Sequence, residues 1–291
     1  MMTLAAIESQ IQTARNLSSI VGTMRTLAMV NIRRFERTTL NLRQYTRTIH
    51  LALHMTTREL PPNKWRLDND PKHCGGVAVL IGSDQGLCGP FNDRILKYGQ
   101  ALWSSPDWSL IVVGERLAQT LVASKAKISA VLNTPVSIEA ITTQARELLY
   151  LIEEKRQAGA CPRLEVMFNS YVSQLRYEES SVTLLPFSPR PFRNVPPDES
   201  PFRTIPQLDK EASVMLLDLL PQYFLSQLAL ALAESTASEN AARLAAMEGA
   251  NRNIDERLDD LMDQHRQRRQ EEITTELADV LVGAEALEEG K

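Results

Sequence analysis

The chain has 291 residues, of which 43% are hydrophobic and 5% aromatic, and its formal net charge is −4. It is long and apolar enough to bury the core of one large domain or of two smaller ones. The most apolar stretch, Ser226 to Ala233, is far shorter than the roughly 18 residues that a membrane span needs. Glu8, Gln10 and Gln12 interrupt the segment that a signal peptide would keep apolar. We therefore expect a soluble, cytoplasmic protein with no direct membrane span.

Cysteine and histidine are too scattered to indicate a disulfide framework or a metal site. Cys74, Cys88 and Cys161 have no metal-ligand spacing, and free thiols are the simpler interpretation. Cys88 could act as a nucleophile, but no histidine lies near it in the sequence. His50 and His54 are four residues apart and could share a helix face, but a third metal ligand is missing nearby. We expect no metal and no cofactor.

The two ends of the chain carry opposite charge. Residues 1–50 hold seven arginines against two glutamates, whereas residues 251–291 hold six basic and twelve acidic residues. This asymmetry favours pairing of the two ends with each other over pairing of either end with its own copy. A basic N-terminal arm can also bind nucleic acid, but these arginines come with no aromatic platform or known binding motif. We therefore expect no nucleic-acid partner.

The sequence predicts a coiled-coil helix over residues 1–60. This segment contains one glycine, Gly22, and no proline, and Pro61-Pro62 follows it. A helix of about 55 residues is roughly 80 Å long, so it must protrude from a compact domain or lie along another element. A three-four spacing, typical of a coiled-coil seam, joins ten positions, eight of them apolar: Leu4, Ile7, Ile11, Ala14, Ser18, Val21, Arg25, Ala28, Ile32 and Phe35.

A second coiled-coil helix is predicted over residues 209–291. Pro221 is expected either to kink it or to mark the first turn of its long portion. Small residues dominate the middle of its seam, which lets two helix backbones approach closely. Residues 264–272 are polar on every face, as is typical where a helix meets solvent or a polar partner. The expected seam is Leu217, Leu220, Phe224, Leu228, Ala231, Ser235, Ser238, Ala242, Ala245, Ile254, Leu258 and Leu261.

Between these helices the hydrophobic period is that of an α/β domain, over residues 72–190. The pattern predicts strands at 77–81, 108–113, 163–173 and 181–186, and helices at 92–103, 115–124 and 137–157. This order is typical of a mostly parallel sheet. A proline-rich linker, residues 191–208, leads on to the second long helix. The predicted fold class is α/β: a long antiparallel coiled coil of N- and C-terminal helices with an inserted Rossmann-like domain.

The loop after the first predicted strand, residues 82–92, lies where α/β folds bind ligands. A phosphate or dinucleotide cradle there would need a glycine-rich fingerprint or a P-loop with its lysine, and the loop has neither. The alternative is a structural turn in which Gly86 and Gly89 adopt positive φ and Ser83 or Asn92 caps a helix. We favour the structural turn.

Four segments resemble those of F-type ATP synthase γ subunits. The loop Ser83-Asp84-Gln-Gly86-Leu-Cys88-Gly89-Pro-Phe-Asn92 is similar to a family segment that follows the first strand. The run Ile273-Thr274-Thr-Glu276, followed by Asp279 and Gly283-Ala284-Glu-Ala286, is similar to the family's C-terminal signature. Residues 238–247 and 16–34 resemble two further family segments. The resemblance therefore spans nearly the whole chain in the expected order.

The resemblance implies a non-catalytic rotor shaft that couples proton or sodium flow through a membrane ring to ATP chemistry in the β subunits. It implies the α and β subunits, the ε subunit and the membrane c-ring as partners, and a peripheral place at the cytoplasmic face of the cell membrane. The partner-contacting positions that it implies are Met24, Arg33, Arg34, Arg269, Gln270, Ile273, Thr274, Glu276, Gly283 and Ala284. In the α/β domain it points to the loop residues Ser83, Asp84, Gly86, Cys88 and Gly89.

The sequence departs from the family pattern at these partner-contacting segments. The family's lysine-rich segment becomes Ile20-Val-Gly-Thr-Met24, and Glu271-Glu272 stand where alanines are usual. The departures fit a divergent, alternate synthase of a bacterium or archaeon, and they change the surfaces that partners would meet.

Two rival classes fit the sequence less well. A Rossmann-like nucleotide enzyme would need a phosphate fingerprint with a ribose-binding acid downstream, and the sequence shows neither. A coiled-coil adaptor that dimerises with itself is disfavoured by the opposite charges of the two ends.

Overall fold

The computed structural model describes residues 3–60, 75–157, 163–173, 176–188, 192 and 208–289, with side chains as far as residue 281. Cys74, Cys161 and most of the predicted linker at 191–208 lie outside the described residues. The chain divides into two compact units. The end unit consists of Met1–Leu27 and Leu244–Lys291, and the central unit consists of Ala28–Arg243.

The long helices predicted at the two ends of the chain are confirmed. Helix α1 spans Leu4–Glu59, 56 residues, and helix α6 spans Ala212–Glu289, 78 residues. Both helices contribute to both units. Because α6 already begins at Ala212 and continues through Pro221, the proline does not mark its first turn, and that alternative is wrong.

Hydrogen bonds between α1 and α6 show that the helices run antiparallel in the central unit, as predicted. Rising positions on α1 meet falling positions on α6, in the pairs Asn31–Asn240, Arg43–Glu234 and His50–Gln227. In the end unit, Glu8 of α1 contacts His265 of α6. This pair takes its acid from the basic end of the chain, the reverse of the polarity that the net charges suggested.

The predicted seam of α1 is confirmed at every position except one. Ile7, Ala28 and Ile32 are at most 2% exposed, and the other apolar seam positions are buried or half-buried. Arg25 is exposed, since a guanidinium in a seam loses its hydration unless it finds a partner. The three-four spacing therefore identified the correct face of this helix.

The predicted seam of α6 is wrong at both ends of its first part. Leu217 is 68% exposed, because the buried face before residue 228 runs instead through Leu219 and Tyr223. Ala245 is also exposed, while Leu244 beside it is buried. Between these points, residues 231–242 are all buried. A three-four spacing predicts one buried face of a helix. It does not predict burial on every face, which occurs where other elements surround the helix.

The central unit contains a mixed five-stranded sheet in the order β3-β2-β1-β4-β5. The strands are β1 Gly76–Ile81, β2 Trp108–Val113, β3 Ile128–Leu132, β4 Leu164–Ser173 and β5 Arg176–Leu185. Val77 of β1 is in register with Ser109 of β2 and with Leu164 of β4. The first four strands are parallel and β5 pairs antiparallel with β4, which confirms the mostly parallel sheet. Edge strand β3 was not predicted.

The central unit contains four shorter helices: α2 Phe91–Tyr98, α3 Gln100–Trp103, α4 Glu115–Ala123 and α5 Ile138–Gln157. The single helix predicted at 92–103 is divided at Gly99, where an added Cβ would lie 2.9 Å from the sulfur of Met167. Ile95 and Leu117 pack with Leu80 and Leu110 in one fully buried cluster. Each such side chain contributes about 1.5–3 kcal/mol of hydrophobic stabilisation.

Within the described residues, α6 is long and apolar enough to cross a membrane by length and composition. An 18-residue window of Ala212–Leu281 has a mean hydropathy of 1.4, and 28% of that window is buried. The core helix of a soluble protein has the same composition, and Leu228 and Leu232 of α6 are fully buried in the central unit. The window by itself therefore does not separate a membrane span from a core helix.

Candidate functional site

The loop after β1 is closed by a network between Ser83 and Asn92. The backbone N–H of Ser83 donates to Asn92 Oδ1 at 3.1 Å, and the Asn92 amide donates back to Ser83 Oγ at 2.9 Å. Ser83 Oγ also donates to the carbonyl of Gln85 at 2.9 Å. Helix α2 begins after Pro90 without a side-chain cap. The prediction that Ser83 or Asn92 caps this helix is therefore wrong. The two residues instead hydrogen-bond to each other and close the loop.

Asp84 uses both carboxylate oxygens to hold neighbouring segments. Its Oδ1 accepts the backbone N–H of Glu115, the first residue of α4, at 2.9 Å. Its Oδ2 accepts the backbone N–H and the hydroxyl of Thr134, each at 2.8 Å. An anion at the first turn of a helix is electrostatically favoured, and this is where phosphate groups bind in α/β proteins. The Asp84 carboxylate therefore supplies the anion at this helix N-terminus.

Backbone conformation at the loop agrees only partly with the prediction. Gly89 has φ +56°, as predicted, but Leu87 adopts φ +62° and Gly86 is not in this region. The neighbouring Gly114 has φ +114°, and a Cβ there would lie 2.7 Å from the backbone nitrogen of Ser83. Only glycine fits such a close approach of two backbones. The turn after β1 therefore depends on two glycines: Gly89 within the loop and Gly114, which follows β2.

Cys88 is a buried, free thiol that packs with Phe91, Tyr177 and Ala242. Its Sγ lies 3.6 Å from Ser83 Oγ and 3.7 Å from the carbonyl of Gln85. Burial raises the pKa of the thiol, more than the hydrogen bond to Ser83 lowers it. Because the thiolate is the nucleophilic form, this environment favours a structural role for Cys88.

Helix α6 covers the crevice where parallel sheets of this kind bind ligands. That crevice lies beyond the carboxyl ends of neighbouring strands where the strand order reverses, here between β1 and β4. Ser238 Oγ of α6 donates to the carbonyl of Asn169 in β4 at 2.8 Å, and Ser235 Oγ lies 3.5 Å from the carbonyl of Ile81 in β1. The chain thus occupies its own candidate ligand site.

A buried ion pair lies on the same part of α6. The Glu239 carboxylate accepts a hydrogen bond from Arg243 Nη2 at 2.6 Å, and both side chains are largely buried. Burial raises the pKa of Glu239, and the nearby Asp84 raises it further, while Arg243 opposes this shift. Arg243 therefore offsets part of the effect of burial on Glu239.

The partner-contacting positions implied by the resemblance lie on helix surfaces. On α1, Met24 is half-buried, and Arg33 and Arg34 are exposed. On α6, Arg269, Gln270, Thr274 and Glu276 are exposed, as is Ile273 at 48%. Gly283 and Ala284 belong to α6, but their surroundings lie outside the described residues. The loop residues Ser83, Asp84, Gly86, Cys88 and Gly89 belong to the central unit and the α6 positions to the end unit.

Sequence reasoning included Ile273 but missed the apolar stripe to which it belongs. Ile273, Leu277, Val280 and Leu281 are each at least 48% exposed, and their helical spacing places them on one face of α6. The i, i+4, i+7, i+8 spacing is present in the sequence, but the sequence analysis identified only Ile273 among the four, through the resemblance. We name these four residues the terminal stripe.

Comparison with known proteins agrees with this architecture. The protein in "Cryo-EM structure of Euglena gracilis mitochondrial ATP synthase, OSCP/F1/c-ring, rotational state 3" superimposes with a TM-score of 0.66 at 16% identity, covering 99% of this chain and 95% of that one. A second Euglena gracilis structure, of the ATP synthase rotor, gives a TM-score of 0.61 at 16% identity, covering 93% and 98%. These two likenesses show the fold.

The family follows from a match over almost the whole sequence. A model of the ATP synthase family matches residues 3–287. Curated proteins named ATP synthase gamma chain are similar over their full length: that of Bdellovibrio bacteriovorus is 26% identical, and that of Geotalea uraniireducens 28%, each with 99% of both chains covered. The mitochondrial subunit gamma of Pichia angusta is 27% identical over 98% of this chain and all of its own. The chain belongs to the ATP synthase family, as one of its γ chains.

Proposed function

We propose that this chain is the central rotor shaft of an F-type ATP synthase. In this role it couples proton or sodium flow through a membrane ring to conformational change at catalytic β subunits, and so to ATP synthesis. The observation that carries the proposal is the antiparallel pairing of α1 and α6 in a chain of the γ family. In the central unit, the two paired helices present different side chains at each angle around the pair.

We propose further that the chain itself is not catalytic. Support comes from the loop after β1, where Asp84 fills the anion position at α4 and Cys88 is buried with a raised pKa. The crevice beside this loop holds Ser235 and Ser238 of α6. A reaction in that place would first require α6 to leave its buried position, so ATP chemistry belongs to partner subunits.

The proposed partners are the α and β subunits around the shaft, the ε subunit, and the membrane c-ring. The solved structures with this fold are titled as a rotor and as an OSCP/F1/c-ring assembly, which supports partners of this kind. The terminal stripe with Arg269, Gln270, Thr274 and Glu276 is the proposed surface toward the α and β subunits. Met24, Arg33 and Arg34 of α1 are proposed as further contacts, and Met24 suits a sliding contact because its side chain is unbranched and adaptable.

Rotation would act on the β subunits through differential contact. A subunit can shift between open and closed states only if the shaft interacts with the two states unequally. Arg33 and Arg34 on α1 and the apolar terminal stripe on α6 give the helices chemically unlike surfaces. In this proposal, each β subunit meets different side chains of the shaft as the shaft turns.

The proposed location is the cytoplasmic face of the cell membrane, as a peripheral protein without a span of its own. The apolar window of α6 would then serve the core of the central unit, where Leu228 and Leu232 are buried. We retain, as part of the proposal, a division into coiled-coil helices at 1–60 and 209–291, an α/β domain at 72–190 and a linker at 191–208.

Purification of the tagged chain from its own membranes tests the proposal. We expect α, β and ε subunits to co-purify, with ATP hydrolysis that the chain alone does not show. Recovery of the chain by itself or with a second copy, under conditions that preserve complexes, would contradict the rotor role and favour the self-dimerising adaptor.

A further inference from the structure

Glu234 lies where both long helices meet the sheet of the central unit. Its Oε1 accepts two hydrogen bonds from Arg43 on α1, from Nε at 3.0 Å and from Nη2 at 2.8 Å. Its Oε2 accepts a hydrogen bond from Ser170 Oγ on β4 at 2.6 Å. One carboxylate on α6 therefore binds α1 through one oxygen and the sheet through the other.

We propose that Glu234 is a positioning residue for torque transfer, because it fixes the α/β domain to the paired helices of the shaft. This inference rests on the proposed rotor function. A twist applied to α1 or α6 reaches the sheet only through contacts that resist sideways displacement. The three hydrogen bonds of Glu234 resist such displacement in both directions, toward α1 and toward β4.

The burial of Glu234 makes these bonds directional and strong. Its side chain is 7% exposed, whereas that of Arg43 is 47% exposed. A carboxylate removed from water needs all of its partners to offset the lost hydration. Hydrogen bonds to an ionised group are also shorter and roughly twice as strong as neutral ones. The carboxylate therefore holds Arg43 and Ser170 at fixed positions.

In the rest of this stretch of α6, Ser235 and Ser238 bond to the sheet and Asn240 bonds to α1, so each joins α6 to one element only. Ala231, Ala233, Ala237 and Ala241 are at most 2% exposed and carry only a methyl group. Such residues let helices and strands approach closely, but they present a smooth surface with little to oppose sliding. This contrast is why we assign the positioning role to Glu234 rather than to the apolar packing around it.

Glu239 offers a matched control on the same helix. It is also buried and forms its ion pair with Arg243 of α6 itself, at 2.6 Å. Glu239→Leu therefore removes a buried carboxylate and an ion pair from α6 without breaking a hydrogen bond between α6 and another element. Glu234→Leu removes a buried carboxylate together with the bonds that Glu234 itself makes to α1 and to the sheet.

The test measures the stiffness of the shaft in the assembled complex. A probe is attached to the α/β domain through Val136→Cys, at a position that is 90% exposed, in a chain with Cys74→Ser and Cys161→Ser. The complex is held without ATP, and the thermal angular fluctuation of the probe is recorded. ATP hydrolysis without load is measured in parallel, because loss of folding or assembly would lower it.

We expect Glu234→Leu to increase the angular variance of the probe, because the bonds of Glu234 to α1 and to the sheet are lost, with unloaded ATP hydrolysis unchanged. Glu239→Leu leaves the variance unchanged. Ser170→Ala, which removes only the connection to the sheet and changes little volume, gives a smaller increase and serves if Glu234→Leu fails to assemble. Equal variance in Ser170→Ala, Glu239→Leu and the unmodified complex would overturn the inference. Failure of the unmodified chain to assemble would instead contradict the proposed function.

Discussion

Two parts of α6 differ completely in their surroundings although they belong to one helix. Residues 231–242 are all buried in the central unit, whereas residues 271–281 are all exposed in the end unit. In the first part, Ser238 and Glu234 hydrogen-bond with neighbouring elements. In the second, Thr274 and Thr275 bond only to backbone carbonyls one turn earlier.

This difference in burial supports the proposal that the first part of α6 serves the fold of the chain and the second part serves contact with partners. Buried small residues fit a space that the chain itself provides, and their substitution should disturb folding. The exposed terminal stripe contributes little to the folding of this chain, and we propose it as an interaction surface. Substitution in the terminal stripe should therefore change assembly and coupling while leaving the fold intact.

Deletion of Gln264–Lys291 should have the largest effect on function. It removes the terminal stripe and all α6 positions that we propose as partner contacts, so assembly and ion coupling should both weaken severely. The central unit, Ala28–Arg243, lies outside the deletion and should stay folded. Co-purification of partners, ATP-driven ion transport and protease resistance of the α/β domain measure these outcomes. A truncated complex with unchanged ATPase rate and unchanged ion transport would show that the stripe has no coupling role.

Ala237→Leu and Ala278→Leu compare the two parts of α6 directly. Ala237 is fully buried, so added methyl groups should destabilise the fold by about 1–3 kcal/mol through overpacking. Ala278 is exposed, and a substitution there should change stability by no more than about 0.5 kcal/mol. Thermal unfolding of the purified complexes provides the measurement. If both substitutions lower the unfolding midpoint equally, the buried middle of α6 is not tightly packed.

Leu277→Asp should have a smaller effect, confined to the partner surface. Leu277 is 60% exposed, so the carboxylate stays hydrated in the free chain but must lose water against an apolar partner. We expect assembly to weaken about tenfold, the effect of an interface contribution of about 1.4 kcal/mol. Titration of the chain against its partner subunits measures this. Thr275→Asp, on a different face of the helix, is the control and should bind normally; equal losses in both variants would remove the stripe from the interface.

Much of the fold could be predicted from the sequence because its signals are local. The three-four spacing of α1 identified a face that includes Ile7, Ala28 and Ile32, and continuous apolar runs identified β1 and β2. Strand β3 was missed because its five residues alternate between half-buried and exposed and include Ser129, whose side chain bonds to the carbonyl of Leu110. Short edge strands provide little hydrophobic signal.

The loop and the junction at Glu234 could not be predicted because their partners are distant in sequence. Asp84 is satisfied by Thr134, and Glu234 by Arg43 and Ser170. No spacing rule connects such positions, since they meet only after the sheet and both long helices have formed. The burial face of α6 before residue 228 was misplaced for a similar reason: several three-four patterns fit that leucine-rich segment, and tertiary packing selects one.

Observation of rotation tests the central claim most directly. The complex is immobilised through its β subunits, a bead is attached to the α/β domain at Val136→Cys in the Cys74→Ser, Cys161→Ser background, and ATP is supplied. The rotor assignment predicts continuous rotation in one direction that stops when ATP is removed. Steady ATP hydrolysis by the same complexes with a bead that only fluctuates about a fixed angle would contradict it.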